Sequence, residues 1–150
     1  MKALSINPQP AMAIYRGKKT IEWRSWSTNY RGDLLICGTA RKQAGGISGH
    51  AFFYADLIDV VPFTRKHLKD ACMSNMPEPA GYAWIFGEDI TTLHPVEVKG
   101  QQGLFEVDDD KLLLLCGSET DDLTDDQFDA EFLRRFDAEI MPLIYKPAEL

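Results

Sequence analysis

Gly17-Lys18-Lys19-Thr20-Ile21-Glu22-Trp23-Arg24-Ser25-Trp26 opens on a residue that ends helices and continues as an alternating strand. With a period of two, Thr20, Glu22 and Arg24 fall on one side of that strand and Ile21 and Trp23 on the other. Upstream, Asn7-Pro8-Gln9-Pro10 leads into Ala11-Met12-Ala13-Ile14-Tyr15-Arg16, which predicts a short helix with proline in its first turn and Gly17 at its stop. Downstream, Ser25 to Asp33 is a polar loop closing on the turn Arg31-Gly32-Asp33. Leu34 to Thr39 then reads as a strand buried on both faces.

Further out, residues 51–61 form a long β pattern that Pro62 ends. Thr64 can cap a short helix running to about Met73. Tyr82 to Gly87, Leu93 to Val98 and Gly103 to Val107 read as three more strands. A capping box at Thr124 and Gln127 precedes Phe128, Phe132, Phe136 and Ile140 at four-residue spacing, an amphipathic helix over 125–140. Many short strands without βαβ alternation predict an α+β fold: a small closed or half-closed mixed β-barrel with peripheral short helices and a C-terminal amphipathic helix, not a doubly wound parallel sheet. We expect residues 1–117 to form the barrel and residues 118–150 an acidic helical extension packed on the same domain.

The 150 residues are 45% hydrophobic, 26% charged and 11% aromatic, which excludes a disordered or fibrous chain. Apolar runs fall far short of the roughly eighteen residues of a membrane span. Cys37, Cys72 and Cys116 form no CxxC pair, which points to the cytoplasm and away from a disulfide framework or thiolate zinc site. His50, His67 and His94 are too dispersed for a local metal site, and no glycine-rich phosphate loop or dinucleotide fingerprint occurs. Neither a metal nor a cofactor is expected. Charge is uneven: residues 1–42 carry eight Lys/Arg against Glu22 and Asp33, whereas residues 101–150 carry four Lys/Arg against fourteen Asp/Glu. The basic segment suits phosphates, and the acidic one would repel a polyanion.

Glu22 and Arg24, two apart on one strand face, are close enough to pair. Beside them a partly desolvated Lys19 could serve as a base, with Glu22 as acid/base or orienting group, so Lys19, Glu22 and Arg24 are the candidate catalytic set. Arg24 and Arg31 can grip phosphate through a guanidinium fork. Trp26, Tyr30 and Trp84 offer ring faces for bases, while Trp23 belongs to the core. Lys42, with Arg41, would extend the positive rim, and Gln101 and Gln102 can both donate to and accept from a base edge.

The string Gly17-x-Lys19-x-x-Glu22-x-Arg24-Ser25-Trp26, followed by Tyr30-Arg31-Gly32-x-Leu34-Leu35-Ile36 and Thr39-Ala40-x-Lys42, resembles the signature of ASCH domains, a PUA-like β-barrel group. Leu4-Ser5-Ile6-x-x-Pro8-x-Pro10-Ala11 and Lys99-Gly100-Gln101-Gln102-Gly103-Leu104-Phe105 resemble that family's entry and a late strand, so the likeness spans about residues 3–107. It implies a pocket lined by Lys19, Glu22 and Arg24, with Thr20 and Thr39 in its binding set, that recognises RNA, nucleotides or modified nucleosides. An amidohydrolase branch of the family reads GxKTxTxR; Lys19, Thr20 and Arg24 match it, but Glu22 replaces a threonine. The branch also uses a later glutamate, for which Glu78 is the candidate. Three functions follow. The first is a module binding RNA, single-stranded nucleic acid or a nucleotide; the second is a hydrolase, either a ribonuclease or an N4-acetylcytidine-type amidohydrolase. The third is an adaptor with a protein partner at the acidic C-terminal helix. No membrane partner is expected.

Overall fold

The computed structural model describes residues 1–148. Strand β1 (Lys2–Ile6) leads into helix α1 (Pro8–Tyr15), whose first turn holds proline and whose end is released by Gly17 at φ +77°, where a side chain would be strained. Strands β2 (Ile21–Arg24), β3 (Gly32–Gly38), β4 (His50–Pro62), β5 (Tyr82–Glu97) and β6 (Phe105–Glu106) follow, and helix α2 (Asp125–Glu139) comes last.

The six strands form one mixed sheet in the order β2-β5-β4-β3-β1-β6. Only β1 and β3 run parallel; the other pairs are antiparallel. The architecture is therefore α+β, as expected, and the barrel is a loose one: β2 and β6 are the two edges, and no ladder joins them. Register shifts in the β3–β4 and β4–β5 pairings supply the bulges that bend and twist long strands.

Two local expectations are revised. The segments Tyr82 to Gly87 and Leu93 to Val98, Val98 itself excepted, belong to one 16-residue strand, because the intervening residues keep pairing with β4 through Ala55↔Ile90 and Tyr54↔Thr91. The helix expected over 64–73 is a single 3-10 turn at Arg65–His67. The backbone beyond it is instead drawn to β2, with the Asp70 carbonyl accepting from the amides of Thr20 and Ile21.

The main core gathers Leu4, Ile14, Leu34, Ile36, Phe53, Leu57 and Trp84, all but closed to solvent. Leu34 to Gly38 are buried throughout, as their uniform apolarity predicted. Burial pushes the Cys37 thiol up to about 12, so it packs as a neutral side chain. Trp23 joins a smaller cluster around Ile21, Phe63 and Ala83 on the opposite face of β2 from Glu22.

Helix α2 starts on the expected capping box of Thr124 and Gln127. Its apolar stripe is turned to the barrel: Phe132 and Phe136 pack against the main core, Tyr15 stacks on Phe136 with centroids 6.1 Å apart, and Ile140 is fully buried. Phe128, at the start of the stripe, is 38% exposed. Arg135 donates to the Leu115 carbonyl at 2.8 Å, and His94 on β5 meets Glu139 at 2.6 Å. Among the described residues, no helix is long and apolar enough to cross a membrane.

Candidate nucleotide-binding recess

The period of β2 places Glu22 and Arg24 opposite Trp84 and Tyr82 of β5 in register, on one face of the sheet. Lys19 reaches the same place from the turn after α1, where the amides of Lys18 and Lys19 both donate to the Ala13 carbonyl. The result is a chain of polar contacts. Lys19 Nζ donates to the Ala71 carbonyl at 2.7 Å and lies 3.5 Å from Glu22 Oε1. Glu22 Oε2 accepts from Arg24 Nη2 at 3.3 Å. That same Nη2 donates to the Ser5 carbonyl at 2.6 Å.

Exposure grows along the chain, with 8% of the Lys19 side chain, 12% of Glu22 and 25% of Arg24 open to solvent. The carboxylate thus lies between two cations and compensates both, which makes burial of three ionic groups tolerable. Arg24 Nε is buried without a hydrogen-bond partner.

Arg24 is the member that faces outward. It lines a recess of about 540 Å³ together with Leu4, Ser5, Trp26, Gln101, Gln102 and Gly103. The volume is that of a small-molecule site, which generally spans about 300–1,000 Å³. The lining mixes one guanidinium, one indole and two carboxamides, and contains no carboxylate. Such a set can meet an anion, a ring face and a donor–acceptor edge together. Its walls come from the two ends of the open sheet: Leu4 and Ser5 from β1, Gly103 and the glutamines from the loop before β6, Arg24 and Trp26 from β2 and the residues after it.

The other residues singled out by sequence are distributed differently. Gln102 and Trp26 line the recess; Lys19 and Glu22 stand behind it. Trp84 is fully buried, its Nε1 donating to the Trp26 carbonyl at 3.1 Å and its ring edge-on to Trp26 with centroids 4.7 Å apart. Its faces are closed to a base, and its place is to brace Trp26. Tyr30 donates its hydroxyl to the Asp33 carbonyl, and Arg31 locks the same turn through the Thr28 and Tyr30 carbonyls while lying 3.4 Å from Asp59. Thr39 donates to Asn7 Oδ1 at 2.9 Å. Thr20 is exposed, and its backbone amide is held by Asp70. Lys42 is exposed two residues beyond Ala40, which lines a second hollow. Glu78 is exposed and outside the recess lining.

Sequence reasoning assigned no role to Ser5 or Ala71, whose carbonyls anchor the two ends of the ionic chain. Ser5 does lie within the Leu4-Ser5-Ile6 entry string, which was a signal. Ala71 had none, because a backbone carbonyl carries no residue signature. Among the described residues, no group of three His, Cys, Asp or Glu side chains could hold a metal ion.

Comparison with known proteins agrees with this architecture. The family model of the ASCH domain matches residues 4–107. A crystal structure of ASCH from Zymomonas mobilis superposes with a TM-score of 0.56 at 18% identity, covering 73% of this chain and 89% of that one. Two single-residue mutants of that Zymomonas mobilis protein superpose alike, with TM-scores of 0.56 and 0.57 at 18% and 17% identity, each covering 73% of this chain and 91% and 89% of their own. At that identity the likeness speaks for the fold. No curated protein matches the chain.

Proposed function

Because the chain belongs to the ASCH domain family, which is associated with RNA binding, we propose that it binds RNA or another single-stranded nucleic acid by taking one nucleotide into the recess at Arg24. The observation that carries this reading is the lining itself, with Arg24, Trp26, Gln101 and Gln102 converging on one carboxylate-free hollow. Arg24 meets phosphate or a base carbonyl, Trp26 offers its ring for stacking, and the glutamines address the base edge. Glu22 holds the guanidinium in position from behind, and Lys19 in turn holds Glu22.

The hydrolytic alternative draws on the same three ionic residues. Binding is favoured over it because Lys19 Nζ is committed to the Ala71 carbonyl and neither Lys19 nor Glu22 lines the recess.

The test is a titration of the parent, Arg24→Ala and Trp26→Ala with a labelled single-stranded RNA at two salt concentrations. The parent should bind in a salt-sensitive manner, and each variant should lose about tenfold or more in affinity. Equal binding by all three proteins rejects the reading. Release of product from RNA or N4-acetylcytidine that ceases in Glu22→Gln would favour the hydrolase instead.

A further inference from the structure

Gly100 and Gln101 are consecutive, yet they serve different hollows: Gln101 lines the recess at Arg24, and Gly100 lines a second hollow of about 530 Å³ with Gly49, His50, Glu97 and Lys99. With Cα atoms about 3.8 Å apart, these two residues make the hollows immediate neighbours. Ser5 pins the partition between them. Its hydroxyl oxygen accepts from the Gln101 amide at 3.2 Å, and it comes so near Gly100 that a Cβ there would lie 2.8 Å from it.

His50, the first residue of β4, has a defined donor–acceptor polarity. Its Nδ1 is 2.7 Å from the Ser48 carbonyl, which can only accept, so Nδ1 carries the proton and Nε2 of the neutral ring presents a lone pair. Among the described residues, Nε2 has no hydrogen-bond partner. Glu97, directly opposite His50 across the β4–β5 ladder, adds a second acceptor to the hollow. For the neutral ring, two acceptors call for a ligand group that donates, which describes a ribose hydroxyl and not an ionised phosphate. Cations stand around them: Lys99 in the lining, and exposed Arg41 and Lys42 just beyond Ala40.

The surroundings also set the direction in which a strand leaves the recess. A third hollow of about 220 Å³ shares Gln101 with the recess, but Glu97, Glu106 and Asp108 line it beside Lys99 and Lys111. Glu106 is held below its ordinary range by the hydrogen bond from Lys2, so it stays ionised and paired there, leaving Glu97 and Asp108 to oppose a phosphate. The way past Gly100 to His50 meets one carboxylate, Glu97, beside Lys99, against three in the third hollow.

We propose that the hollow at His50 and Lys99 is a second nucleotide subsite that reads the sugar: the 2′-hydroxyl of the nucleotide next to the one in the recess donates to His50 Nε2, so the protein prefers RNA to DNA. This rests on the binding reading of the recess and adds to it a discrimination that the recess lining does not supply.

The test uses the full chain with labelled hexauridylate, its 2′-deoxy counterpart and its 2′-O-methyl counterpart, followed by fluorescence anisotropy. The parent should bind the ribo form about tenfold more tightly than the other two, the effect of one hydrogen bond. His50→Phe should remove that preference by lowering ribo affinity alone, and Lys99→Ala should weaken all three probes to the same degree. The 2′-O-methyl probe reports on the parent protein and needs no variant to fold. If the three probes bind the parent equally and Arg24→Ala still loses them, the sugar subsite is refuted and the recess stands. If the parent binds none of them, or binds them independently of Arg24 and Trp26, both are refuted.

Discussion

Arg24, on β2, donates through Nη2 to the backbone carbonyl of Ser5, on β1, at 2.6 Å. In the sheet these strands are separated by β5, β4 and β3, so the contact crosses the gap that the open order leaves. One side chain therefore spans the seam of a barrel that backbone pairing does not close, and the recess lies at that seam.

Arg24→Met should loosen the seam. The Ser5 carbonyl loses its charged donor, a change of about 1–3 kcal/mol. Urea unfolding should show a lower midpoint with an unaltered m-value. Arg24→Lys should recover only part, since an ammonium lacks the planar fork. A midpoint equal to the parent's in Arg24→Met would mean that the seam contributes nothing to stability.

Lys19 and Glu22 should behave as one unit. Lys19→Met leaves the Ala71 carbonyl without its donor, and Glu22→Gln leaves two cations without their shared carboxylate. Removing one partner of such a buried group costs about 3–5 kcal/mol. The double variant should be less destabilised than the two singles predict, by about 1 kcal/mol or more in a double-mutant cycle. Strict additivity would show the pair to be uncoupled.

The two tryptophans should separate cleanly. Trp84→Ala opens a cavity in the main core and should destabilise by about 3–5 kcal/mol. Trp26→Ala should cost RNA affinity worth about 1–3 kcal/mol, out of proportion to its effect on unfolding. If Trp26→Ala binds normally and only unfolds sooner, its ring is a wall and not a stacking surface.

Helix α2 should be part of the core. Ile140→Ala should lower stability by about 2–5 kcal/mol, since its side chain is fully buried. A chain ending at residue 117 should lose near-UV circular dichroism and dispersed amide resonances. A truncated chain that keeps both would make residues 118–150 an appendage.

Acid should weaken α2 from within, because the partners of Glu131 lie on the same helix. Hydrogen bonds from Arg134 and then Arg135 hold the Glu131 carboxyl down to about 2, from an ordinary 4.5. A carboxylate depressed in the folded state stabilises above its unfolded value and loses that contribution as pH falls through the folded one. The stability difference between the parent and Glu131→Gln should thus be constant above about pH 4.5 and shrink towards about pH 2. Urea midpoints across that window measure it; a difference independent of pH would show that the ion pairs of Glu131 contribute nothing to stability.

Local pattern carried much of this protein. Period-two alternation was enough to put Glu22 and Arg24 on one face and Trp23 on the other, and the caps at Pro8, Gly17 and Thr124 marked both helices. The entry string around Ser5 and the loop at Gln101 and Gln102 already stood out, and both reach the recess. The segments 82–87 and 93–98 read as two strands from their own residues, whereas pairing with β4 joins them into one.

Side-chain order along β2 and the placement of caps follow from chirality and hydrogen-bond period, which neighbouring residues settle among themselves. Whether Arg24 meets Ser5, Lys19 meets Ala71, or Trp84 lies inside beneath Trp26 depends on contacts between residues 19 to 58 positions apart. Those contacts exist only once bulged strands bring distant segments to one seam. Tertiary structure therefore decided which of the polar and aromatic residues line the recess and which stand behind it.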